Sequence, residues 1–74
     1  MSKPDVHVVH KNDKWAVQKE GSQRALRTFD TQKDALGMAK EIARKECVEL
    51  FVHGRDGQIR DRMSYGNDPR DIPG

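Results

Sequence analysis

Cysteine, aromatic residues and long apolar runs are all scarce in this 74-residue chain, and each scarcity excludes something. Cys47 stands alone, so there is no internal disulfide and no cysteine pair to hold zinc. A single thiol fits a reducing compartment. One Trp, one Tyr and two Phe within a 34% hydrophobic composition leave material for a small core only, on the scale of one helix against one sheet. No stretch approaches the roughly 20 apolar residues of a membrane span, and the first twenty residues are charged and lack the apolar run of a signal peptide. The expectation is a soluble, cytoplasmic protein that does not engage membranes. An excess of one charge is missing too: 14 basic residues face 12 acidic ones, interleaved along the chain, for a net charge of +2. Nucleic-acid binders usually carry a larger, clustered basic excess, so any basic surface here has to be assembled by folding.

What is present reads as one α+β domain over residues 1–74, with a loose N-terminus at 1–4 and an irregular tail at 66–74. Val6–His10 is short and β-branched, and Trp15–Glu20 alternates apolar with polar residues. Joined by the polar "KNDK", the two predict a β-hairpin. Gly21 and Ser22 break the chain before a third strand over Arg24–Phe29. In "DTQKDALGMAKEIARKE", Thr31 is placed to cap a helix with Asp34 three residues on. Ala35, Ala39, Ile42 and Ala43 recur at the spacing of one buried helical face, and the helix should end near Glu46. "VELFVH" is a strand with Val48, Leu50 and Val52 on one face and Glu49, Phe51 and His53 on the other. "GRDG" is a tight turn, and "QIRDRMSY" returns as the last strand, with Ile59, Met63 and Tyr65 expected to point inward. The predicted order is βββαββ, a small antiparallel sheet with one helix packed on one face. The tail "GNDPRDIPG", with its prolines and glycines, predicts no regular element; it is either a structured turn anchored by Tyr65 or a short recognition segment.

The layout "HVV…WAVQKEGSQRA…FDTQKDAL…A…IA…HGRDGQIRDRMSYGNDP" resembles a family of small bacterial proteins known as domain of unknown function 2188. The resemblance runs along nearly the whole chain, and "WAVQKEG", "HGRDGQIR" and "SYGNDP" carry most of it. It implies the fold and the single-domain organisation and supplies no chemistry. Members of that family often place glycines between the helix and the fourth strand, where this chain has Cys47 and Val48.

No catalytic constellation emerges. Cys47 has no base near it in sequence and follows a helix C-terminus, whose dipole disfavours a thiolate. Asp56 is accounted for by its turn. His7 and His10 fall on opposite strand faces; His7 and His53 could share the outer face, but no third metal ligand stands with them. "GRDG" lacks the spacing and the following helix of a phosphate loop. The chain is therefore read as a non-enzymatic module without cofactor, metal or small-molecule substrate.

Binding surfaces are the remaining candidates. The sheet face away from the helix should show Val9 and Phe51 between histidines, with Arg60 and Arg62 beside them. On that reading the module binds DNA or RNA, Phe51 stacking on a base while Lys19, Arg27, Arg60 and Arg62 meet phosphates. The alternative is a protein-interaction or homodimerisation module in which Val9 and Phe51 bury against a partner or a second copy; a phage-type inhibitor of a host protein falls in the same class. A further basic stripe, Lys33, Gly37, Lys40 and Arg44, runs along the helix opposite its alanines, and its bland reading is a solvated face.

Overall fold

The N-terminal hairpin closes more tightly than its polar connection suggests. A computed structural model of the chain describes residues 4–22 and 24–65. In it β1 (Val6–Lys11) and β2 (Lys14–Lys19) leave only Asn12 and Asp13 as the loop. Both loop residues have positive φ, 53° and 62°. That is the backbone of a type I′ turn, whose twist matches the twist of the strands it joins and which Asn and Asp tolerate better than bulkier residues. β3 (Ala25–Phe29) pairs antiparallel with β2, and α1 (Gln32–Glu46) follows. The Thr31 hydroxyl accepts from the Asp34 backbone N–H at 3.2 Å, so the cap stands where the sequence places it.

The helix ends on Cys47, which sits in the left-handed region at φ 57°, with the Val48 N–H donating to the Ala43 carbonyl at 3.0 Å. This conformation closes helices and is the one glycine adopts most readily. β4 (Glu49–His53) and β5 (Ile59–Ser64) complete a five-stranded sheet in the order β3-β2-β1-β4-β5. The element order is the one expected. The sheet is mixed, however, because β1 and β4 pair parallel while the other neighbours are antiparallel. β2 takes one edge of β1, so the chain returning from α1 adds β4 to the other edge in the same direction as β1. The expected tail at 66–74 and the first three residues of the loose N-terminus lie outside the described residues.

The core occupies one side of the sheet. Val6, Val8, Val17 and Leu50 are fully buried against Ala35, Ala39 and Ala43, with Trp15, Val48 and Val52 completing the cluster. Three alanines at four-residue intervals leave the helix surface smooth and let it lie close to the sheet, so that few apolar atoms suffice to exclude water. Ile42, expected on the buried face, packs at its margin with Phe29, Leu36, Met38, Met63 and Tyr65. Both edge strands are irregular. A shift between Val17 and Gln18 leaves Leu26 of β3 without a partner in the register, and one between Val52 and His53 does the same to Arg60 of β5. Bulges together with charged side chains blunt a sheet edge against pairing with another strand.

Candidate functional site on the open sheet face

The register assigns every strand residue to a face. Val6 and Val8 turn to the helix, so their neighbours His7 and Val9 turn to the open side, opposite Gln18 and Ala16 of β2. On β4, Leu50 and Val52 are buried, and Phe51 stands next to His7 on the open side. Arg62 of β5 lies opposite Phe51, and Ile59 lies opposite His53. The open face therefore reads, across its centre, as Gln18, His7, Phe51 and Arg62, each in contact with the next strand.

These side chains form an ordered set. The His7 and Phe51 rings stack with centres 5.0 Å apart and planes 21° from parallel. The Arg62 guanidinium lies 5.9 Å from the Phe51 ring centre, within reach of a cation–π attraction. The same guanidinium also engages Glu49, with Nε at 3.2 Å from one carboxylate oxygen. On the other flank His7 Nε2 lies 3.1 Å from the Glu20 carboxylate, and His7 Nδ1 lies 2.9 Å from His53 Nε2. The Asp5 side chain accepts from the Glu49 backbone N–H at 3.0 Å and its carbonyl accepts from the Glu20 N–H at 2.8 Å, holding the two acidic residues on either side of β1. His7, Val9, Gln18, Glu20, Gly21 and His53 are among the residues around a shallow hollow at this end of the face.

Of the five residues read as a nucleic-acid grip, the structure gathers two. Phe51 and Arg62 are neighbours on the open face. Lys19 is not there: opposite the buried Val6, it turns to the helix side and donates to Glu46 of α1 at 2.9 Å. Arg27 lies opposite the buried Val17 and sits 5.4 Å from the Phe29 ring centre, again on the helix side. Arg60 is displaced by the bulge. Its side chain lies over Gly54, where an added Cβ would come within 2.6 Å of Arg60 Nε, and its guanidinium reaches Asp56 at 3.6 Å. The alternation that placed Arg60 beside Arg62 assumes an unbroken strand, and the bulge also turns Ile59, expected inward, to a 56% exposed position. Both residues of the protein-contact reading, Val9 and Phe51, are on the open face as expected.

Strand alternation already carried the signal for Lys19 and Arg27, since Lys19 shares its parity with Trp15 and Val17, and Arg27 with Phe29. The same rule marks Glu49, two residues before Phe51, as part of the open face. The helix stripe is exposed as expected: Lys33, Gly37, Lys40 and Arg44 are all open to solvent, and the three cations have no ion pair among the described residues. Among the described residues no group of three or more His, Cys, Asp or Glu side chains is arranged to hold a metal, and no helix is long and apolar enough to cross a membrane.

A family model described as "Uncharacterized protein conserved in bacteria (DUF2188)" matches residues 6–65, the span of the five strands and the helix. The chain is 38% identical over 61 residues to the uncharacterized protein YdaT of Bacillus subtilis (strain 168), covering 82% of this chain. It spans 41% of the length of that relative. No solved structure matches the chain.

Proposed function

The chain belongs to the DUF2188 family, for which no activity is described, and from the geometry of its open face we propose that it is a protein-contact module that self-associates weakly through that face. One observation carries the reading: the open face sets a ring, Phe51, among polar groups whose charges are already paired within the chain. Phe51 stacks on His7 with Val9 two residues further along β1 on the same face, Arg62 is engaged by Glu49, and the His7 ring by Glu20. A protein-contact surface sets apolar side chains among polar groups. The presence of both signs side by side supports a second copy as the partner, because a two-fold contact needs a self-complementary patch and Glu49 and Arg62 can exchange partners across the axis.

Size sets the strength expected of such a contact. Five strands about 4.8 Å apart and about 20 Å long give roughly 500 Å² in plan, short of the roughly 800 Å² per partner of a standard stable interface. The association should therefore be reversible and of transient strength. The test is sedimentation over a wide concentration series of the chain and of Phe51→Asp. The reading expects a concentration-dependent rise in mass that the substitution abolishes while the monomer stays folded. A wild-type chain that remains monomeric to millimolar concentration overturns it.

A second reading has its own support. A row of cations without an ion pair among the described residues lies along α1, where Lys33, Lys40 and Arg44 flank Gly37, which has nothing within 4 Å of where a Cβ would stand. Nucleic acid, if bound, would then use the helix rather than the sheet. An anisotropy titration with labelled DNA and RNA, at low and at physiological salt, tests it: binding that weakens steeply with salt and is lost in Lys40→Ala with Arg44→Ala supports the helix, and flat traces reject it.

A further inference from the structure

Four ring nitrogens, one carboxylate and one carbonyl form a continuous line across the open face. His7 Nε2 faces the Glu20 carboxylate at 3.1 Å, His7 Nδ1 faces His53 Nε2 at 2.9 Å, and His53 Nδ1 faces the Gly57 carbonyl at 3.3 Å. The two ends of this line can only accept, so the nitrogen facing each end has to donate. In the middle, one nitrogen has to donate and the other accept. Counting protons, the three contacts are satisfied together when three protons occupy the four nitrogens. Two neutral rings carry two protons and leave one contact as lone pair against lone pair. Two imidazolium rings carry four and set N–H against N–H at the central contact.

We infer that the His7–His53 pair is a proton-binding site, built to hold one proton more than two neutral imidazoles, so that the open face carries a shared positive charge beside Phe51. The geometry distinguishes a proton from a metal ion as the occupant. The ring centres are 5.1 Å apart while the facing nitrogens are 2.9 Å apart, so the nitrogens lie nearly on the line between the centres and their lone pairs meet head-on. Metal ligands converge on a third point off that line; a hydrogen bond lies along it. The arrangement is held from several sides. Stacking on Phe51 fixes the His7 ring plane. The Gly57 carbonyl is placed by a turn in which the Gly54 N–H donates to the Gln58 carbonyl at 2.7 Å and the Gly57 N–H to the Gly54 carbonyl at 3.0 Å. Gly57 itself has φ 87°, a conformation a side chain would strain.

The cations near the pair are engaged by carboxylates of their own. Glu20 touches it directly; Lys19 beside it is bound to Glu46, Arg62 beyond Phe51 is bound to Glu49, and Arg60 at the turn is bound to Asp56. Among the described residues, the charged group in direct contact with the pair is the Glu20 carboxylate. Because the line ties the end of β2 to β1, β4 and the β4–β5 turn, its proton count sets how firmly the turn is held to the hairpin. The inference rests on this geometry and is independent of what the open face contacts.

The experiment uses the full chain, uniformly labelled with nitrogen-15, with ring tautomers and nitrogen–nitrogen coupling across the hydrogen bond followed from acid to alkaline pH. Over an intermediate range the pair should show three ring protons and a measurable coupling between His7 Nδ1 and His53 Nε2. On acidification a fourth proton should enter and the coupling should vanish. On alkalinisation the proton between His53 Nδ1 and Gly57 should leave while the coupling persists. His10, which packs edge-on against Trp15 on the other side of the sheet, serves as an internal control with no such coupling. Absence of coupling at every pH overturns the inference, as does a pair that passes directly from four ring protons to two.

Discussion

Leu50 and Phe51 are adjacent on β4 and live in different environments. Leu50 is fully buried beneath an alanine-faced helix, while Phe51 stands half-buried on the open side between a histidine ring and an arginine. The covered face is held by shape: small helix residues, valines, a leucine and a tryptophan packed together. The open face is held by pairing, ring on ring and charge on charge, and its groups would meet water without a partner. A chain with so few apolar residues can afford one packed face only, so the second face is free to be specified by contacts other than packing.

The sharpest way to break that contrast is to truncate one residue on each side. Leu50→Ala should cost about 3 kcal/mol by lost transfer energy and cavity formation, a large part of the total stability expected of a domain this size. Phe51→Asp should cost about 1 kcal/mol, the scale of a lost cross-strand pair. Chemical denaturation of the two variants measures both, and equal costs would mean that the open face is as much a core as the covered one.

A smaller effect tests how the helix is seated on the covered face. Cys47 holds the left-handed cap conformation, and Cys47→Gly should raise stability by about 0.5 to 1 kcal/mol, the strain relieved being partly offset by greater freedom in the unfolded chain. A loss of stability on that change would show that the cysteine side chain contributes packing that outweighs its backbone strain.

The smallest effect lies at the margin of the sheet. A hydrogen bond from the Lys14 ammonium, reinforced by its charge, holds the Asp30 carboxyl below the usual carboxylate range. A depressed value means stabilisation that is present above the ordinary carboxylate range and is lost as pH falls through the folded-state value. Asp30 is fully exposed, so the contribution should be slight and screened by salt. Lys14→Met should return the Asp30 titration, followed by NMR, to the ordinary range; an unchanged titration would exclude Lys14 as the cause.

Much of this architecture was legible because alternation and helical spacing report faces directly. Thr31 as cap, Ala35, Ala39 and Ala43 as the buried stripe, and Phe51 opposite Leu50 and Val52 all follow from spacing. Spacing reports neighbours poorly. Nothing in Val6–Lys11 or Glu49–His53 states that the two strands lie side by side and parallel, since that is decided by which edge of β1 remains free after β2 has paired. Bulges are equally silent, because one extra residue reverses the parity of everything beyond it; that moved Arg60 and Ile59. Lys19 and Arg27 differ, as their parity was readable and counted against the surface they were assigned to. The histidine line joins residues 46 positions apart in sequence and depends on the parallel pairing, so only the assembled sheet reveals it.

The most direct measurement of the contact role is a dilution series of amide spectra from the nitrogen-15 labelled chain. The account predicts shifts that grow with concentration and are confined to the open face, around Val9, Phe51, Arg62 and His7, with the helix residues Lys33, Lys40 and Arg44 unmoved. Spectra that do not change with concentration, or changes centred on the helix, would contradict it.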